Sequence, residues 1–104
     1  MKHLALLVFA VLAFGCLGPE AMTVEEIEKD PEAYLGEKVL VKGTVRKSFK
    51  IGKLSGFHLQ GENESMLVSS ELLPPEGSSV EVHGTVMREA FVGYYLLAKD
   101  IDLK

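Results

Sequence analysis

Lys42, Arg46, Lys50 and Lys53 place four cations in one short stretch, with His58 and Gln60 close behind. Cations at that density attract phosphates or anionic headgroups. Residues 38–53 carry six basic side chains and no acid, a local charge of +6, whereas residues 20–37 sum to −6. A second chemistry belongs to Cys16, the single cysteine, which follows the unbroken apolar run Leu4–Phe14. A basic start at Lys2, a short apolar stretch and small residues at its exit form a secretory leader. The run is too short for a membrane span, which needs about 20 residues. One thiol cannot close an internal disulfide, and alone it cannot build a tetrahedral zinc site.

The remaining polar residues form no catalytic set. His58 and His83 each alternate with apolar neighbours and are expected on outward strand faces, where they would approach each other only if their strands adjoin. No serine lies in a Gly-x-Ser-x-Gly elbow. Gly52 and Gly56 flank Lys53 in a hairpin with no helix after it, so they make no phosphate-cradling loop. No catalytic residue, metal ligand or cofactor is assigned. The whole chain carries −4, and without Lys2 residues 16–104 carry −5. That charge argues against general attraction to polyanions.

Residues 1–15 are read as the leader, 16–22 as a lipidated tether and 23–104 as one small domain. Thr23-Val24-Glu25-Glu26 is a capping box. Asp30-Pro31 restarts a turn with Asp30 as cap, and Gly36 ends it at positive φ. A broken helix is therefore expected over 24–35, with Tyr34 and Leu35 packed inward. Strands follow from period-2 alternation over 39–46, 57–60, 65–70, 80–86 and 92–103, the last bulged near Lys99-Asp100. This parity turns Val41, Val82 and Phe57 inward and Lys42, Arg46 and His83 outward. Val39-Leu40-Val41-Lys42-Gly43-Thr44-Val45 is echoed by Val80-Glu81-Val82-His83-Gly84-Thr85-Val86. A glycine at the same place in two strands implies close backbone approach in a tightly coiled sheet.

Ala13-Phe14-Gly15-Cys16 resembles the lipobox of bacterial and archaeal lipoproteins, which implies a lipid anchor on the extracytoplasmic face of the cell membrane. The valine-glycine strands, Gly56-Phe57-His58-Leu59 and Tyr95-Leu96-Leu97-Ala98 resemble an OB-fold domain of the tRNA-anticodon-binding-like type. The fold expected is all-β, a five-stranded OB-type Greek-key barrel with a short N-terminal α-helix. Tyr95-Leu96-Leu97-Ala98-Lys99-Asp100 also resembles the end of the haem chaperone of cytochrome c maturation. Asp100 stands where that family has its haem-linking histidine, which argues against that activity. In OB-folds the ligand face is flanked by the loops here expected at 50–56 and 88–93. The reading is a non-enzymatic, membrane-anchored binding module for an unidentified protein or oligomeric ligand, with Lys42, Arg46, Lys50, Lys53, His58 and Gln60 as candidate contacts. Single-stranded nucleic acid is the alternative and a haem or metal carrier the third. Phe49, Phe91 and Tyr94 or Tyr95 could serve as stacking surfaces, but against the alternative stand the net charge and the expected burial of most of these rings, which leaves no secure aromatic platform.

Overall fold

The computed structural model describes residues 20–104. The leader, Cys16 and the start of the tether lie outside them. Met22–Thr23 forms a short strand β1, and Val24–Lys29 forms helix α1. A 3-10 turn spans Pro31–Tyr34, and five long strands follow: β2 Lys38–Ile51, β3 Leu54–Gln60, β4 Ser65–Ser69, β5 Ser79–Glu89 and β6 Gly93–Leu103. No helix among the described residues is long and apolar enough to cross a membrane.

Local chemistry explains the start of the domain. Thr23 Oγ1 accepts from Glu26 N at 3.2 Å, while Glu26 Oε1 accepts from Thr23 N at 2.8 Å, completing the expected capping box. Val24 and Ile27 share one face of α1 and are fully buried. Asp30 stands at the cap of the 3-10 turn, but its side chain makes no capping hydrogen bond. Leu35 does not pack inward as expected; it is 38% exposed, because its backbone is drawn into a bridge with Val86. Gly36 has φ +82.

The sheet closes on itself. The hydrogen-bonded order is β1-β2-β3-β4-β6-β5, with β5 returning to pair with β2. All ladders of the barrel are antiparallel except β4–β6, which is parallel. This is the five-stranded OB barrel expected from the sequence. Its interior is filled by alternate residues: Val41 and Val45 from β2, Phe57 and Leu59 from β3, Val82 and Val86 from β5. Lys42 and His83 face outward, as the parity requires. Added to Gly84, a Cβ would lie 2.6 Å from Leu97 O; added to Gly43, it would lie 2.7 Å from Leu59 Cγ. The repeated glycine thus marks two places where strands approach too closely for a side chain.

Two bulges interrupt the ladders. On β6, Lys99 is the extra residue between the pairs His83–Asp100 and Gly84–Ala98, where the bulge was expected. On β2, the register shifts between Arg46 and Phe49, with Lys47 at φ +49. Strand β2 therefore runs past Arg46, where alternation stopped, and on to Ile51. The segment 50–56 is not a loop. Lys50 lies on β2 opposite Ser55, and only Gly52-Lys53 turns the chain.

Candidate functional site

The β2 bulge decides what the outer face presents. Along an unbroken strand Phe49 would share the inward parity of Val41 and Val45. One extra residue reverses that parity, and Phe49 falls opposite Gly56 on the outward face. A Cβ on Gly56 would lie 3.2 Å from Phe49 Cζ, so the missing side chain lets the ring rest on β3. Within the same bulge Ser48 N donates to Glu76 Oε2 at 3.1 Å, and the Ser48 hydroxyl is buried without a partner.

The β5–β6 turn, Ala90–Val92, faces Phe49 across a cleft. Glu89 Oε1 accepts from Phe91 N at 2.8 Å and from Val92 N at 3.0 Å, which fixes the turn. Phe91 is held 95% exposed. Phe49, Leu54, Leu67, Phe91, Val92 and Tyr95 give the cleft apolar walls around about 380 Å³, with Ser55, Ser69 and Glu89 as its polar groups. Tyr94, by contrast, packs against the core. Of the four rings, most of which were expected to be buried, Phe91 is exposed, and Phe49 and Tyr95 are half-buried on the cleft wall. Residue type alone favoured burial; the bulge and the Glu89-braced turn reverse it.

The six candidate contacts do not form one group. Arg46 and His58 are direct cross-strand partners on the outer face of β2 and β3. Gln60 donates to Gly61 O at 3.2 Å and to Glu64 O at 3.3 Å, so its amide supports the β3–β4 turn. Lys42 lies opposite Glu81, which itself pairs with Lys104 at 3.4 Å. Lys50 and Lys53 sit at the tip of the β2–β3 hairpin. Of the six, only Lys53 lines a cavity that adjoins the aromatic cleft.

His58 and His83 are separated. Strand β3 pairs with β2 and β4, while β5 pairs with β2 and β6, so the two imidazoles have no shared ladder. His83 Nε2 instead lies 3.2 Å from Asp102 Oδ2. Among the described residues no group of three or more His, Cys, Asp or Glu side chains could hold a metal. Asp100 is exposed and lies opposite His83.

The acidic and basic segments do not neutralise each other. Among the described residues, the one ion pair made by an acid of 20–37 joins Glu32 to Arg88, at 3.8 Å. Glu25 of α1 accepts from Asn63 and Glu64 in the β3–β4 turn, at the end of the hairpin opposite Gly52-Lys53.

No family model and no curated protein matches this chain. Solved structures match its fold. Asparaginyl-tRNA synthetase from Pyrococcus horikoshii is similar with a TM-score of 0.67 at 19% identity, over 81% of this chain and 23% of that one. The same synthetase complexed with asparaginyl-adenylate gives 0.66 at 20% identity, over 81% of this chain and 22% of that one. A protein described as an aspartyl-tRNA synthetase, from Leishmania major Friedlin, gives 0.67 at 20% identity, over 83% of this chain and 21% of that one. The chain thus spans between a fifth and a quarter of the length of these structures, and the likeness at this identity is one of fold.

Proposed function

We propose that this chain is a non-enzymatic binding module that holds a short run of single-stranded nucleic acid in the aromatic cleft between the β2–β3 and β5–β6 turns. The observation that carries the reading is the open concave face on which Phe49 and Tyr95 stand beside the 95% exposed Phe91. Phe91, left in water beside the groove, contributes nothing to the core, and Phe49 and Tyr95 are half-buried with part of each ring open to the cleft. Stacked on a base, each is worth about 1–3 kcal/mol. Hydrogen bonds from Phe91 N and Val92 N to Glu89 brace the turn backbone in advance, so less of the turn must be ordered at binding. The structural neighbours are tRNA synthetases by name, which favours nucleic acid over other ligands. Net negative charge is a weak objection, since the acids of α1 lie away from the hairpin tip that carries Lys50 and Lys53.

Fluorescence anisotropy with a short labelled oligothymidylate and oligouridylate tests this. At about 50 mM salt the wild-type chain is expected to bind single strands and to bind duplex more weakly. Phe91→Ala and Tyr95→Ala should each weaken binding by about 5- to 150-fold, the equivalent of one lost stack. Failure of the wild type to bind either single strand would end the nucleic-acid reading.

We further propose that Cys16 carries a lipid and holds the module on the extracytoplasmic face of the membrane. A short acyl-bearing tether is the expected anchor. Cys16→Ser should release the protein from membranes and abolish incorporation of a fatty-acid analogue; an unlabelled wild type would refute the anchor.

A further inference from the structure

We propose that the nucleic-acid strand follows the seam between β4 and β6 and bypasses the Arg46–His58 face, with a phosphate held by Lys53, Ser69 and Lys99 next to the base stacked in the cleft. This rests on the nucleic-acid reading of the cleft. A second groove of about 480 Å³ lies along the seam and shares Leu54, Ser55 and Ser69 with the aromatic cleft, so the two adjoin and together make the proposed channel. Its chemistry differs from that of the cleft. Lys53 enters from the β2–β3 turn and Lys99 from β6, and neither has a carboxylate within 4.0 Å among the described residues.

The placement of Lys99 is a consequence of the β6 bulge. Ala98 and Ile101 both pack against the core, and the extra residue leaves Lys99 and Asp100 between them on the exposed side. Bulges characteristically re-aim a side chain in this way. Ser55 and Ser70 use their hydroxyls on neighbouring carbonyls, at 2.6 Å to Ser70 O and 2.7 Å to Leu72 O. Ser69 lines both parts of the channel, and its hydroxyl makes no hydrogen bond among the described residues, so it can donate to a phosphate oxygen. Glu71 lines the groove and Glu89 the cleft, and both oppose an anion; Glu89 is confined to the stacking end, so at the phosphate site two lysines face the single charge of Glu71. The channel therefore runs from a stacking surface to a pair of cations, the order in which a nucleotide presents base and phosphate. Arg46, His58 and Gln60 line neither part of this channel.

The test compares two double variants of the full chain by anisotropy against the same oligothymidylate, from about 50 to about 200 mM salt. Each phosphate contact on a single strand contributes about 0.7 to the slope of log K against log salt. Lys53→Ser with Lys99→Ser should lower the slope by about 0.7, for the one phosphate the two lysines share, while Lys42→Ser with Arg46→Ser should leave it unchanged. Circular dichroism melts confirm that both variants fold. Loss of slope in the Lys42/Arg46 variant, or in neither variant, overturns the seam path while wild-type binding stands. A wild type that does not bind at all removes the reading on which the path rests.

Discussion

Glu25 ties two elements together with one carboxylate oxygen. Its Oε2 accepts from Asn63 N at 2.7 Å and Glu64 N at 2.9 Å, clasping α1 to the β3–β4 turn. These backbone donors, Asn63 first, hold the Glu25 carboxyl below its ordinary value of 4.5. A group whose folded value is depressed contributes stability that is present above its unfolded value and is lost as pH falls through the folded one. Nearby Glu28 acts in the opposite sense: burial first, and then the Glu64 charge, raise its carboxyl. Its contribution is full below the ordinary value and fades as pH rises through the raised one. Glu25→Gln should therefore lower the melting temperature at neutral pH and flatten the acid-side fall below about pH 4.5. Glu28→Gln should raise it at neutral pH. Thermal melts across pH check both; identical acid limbs in wild type and Glu25→Gln would show that the clasp is not part of the folded state in solution.

At the scale of elements, the informative feature is the bulge on β2. Lys47 occupies left-handed backbone at φ +49, a conformation that costs an ordinary L-residue about 1–2 kcal/mol. Lys47→Gly should melt at or above the wild-type temperature, whereas β-branched Lys47→Val should melt lower and expose or misplace Phe49. Equal melting of the two variants would show that the bulge geometry is not populated. This element also marks where the sequence stopped being legible. Valines at period 2 sufficed to orient Val41, Val45, Val82 and Val86, and the small residues Gly43 and Gly84 announced the close strand approaches. The Thr23–Glu26 box and Gly36 were equally readable, since each has a single local physical cause. Beyond Arg46 the pattern failed because a lysine, and not a glycine, takes the positive φ. Nothing in residue type warned that parity would reverse before Phe49. For Phe91 the obstacle was different: aromatic character argues for burial, and only the folded β5–β6 turn, its backbone braced by Glu89, shows that the residue lies at a tip away from the core.

Across the whole molecule, charge and closure are both uneven. Acidic α1 binds the β3–β4 turn, while the basic hairpin tip lies at the other end of β2 and β3. A net charge near zero on paper would hide the same polarity, which is why the sum for the chain says little about the cleft. Closure is uneven because β4 meets β6 through three residue pairs, Leu67–Tyr95, Val68–Leu96 and Ser69–Leu97, in the barrel's one parallel ladder. Antiparallel β5–β6 has ten pairs and β2–β5 seven. Short parallel ladders are slightly weaker per residue, so the barrel should breathe there first. Amide hydrogen exchange should run faster for β4 amides that bond to β6 than for those in the β2–β5 ladder; uniform protection would contradict this. The proposed channel lies directly over this weak joint. A strand of nucleic acid gripping Lys53 on one bank and Lys99 on the other would act as a splint, slowing exchange at a closure that has too few hydrogen bonds to protect itself.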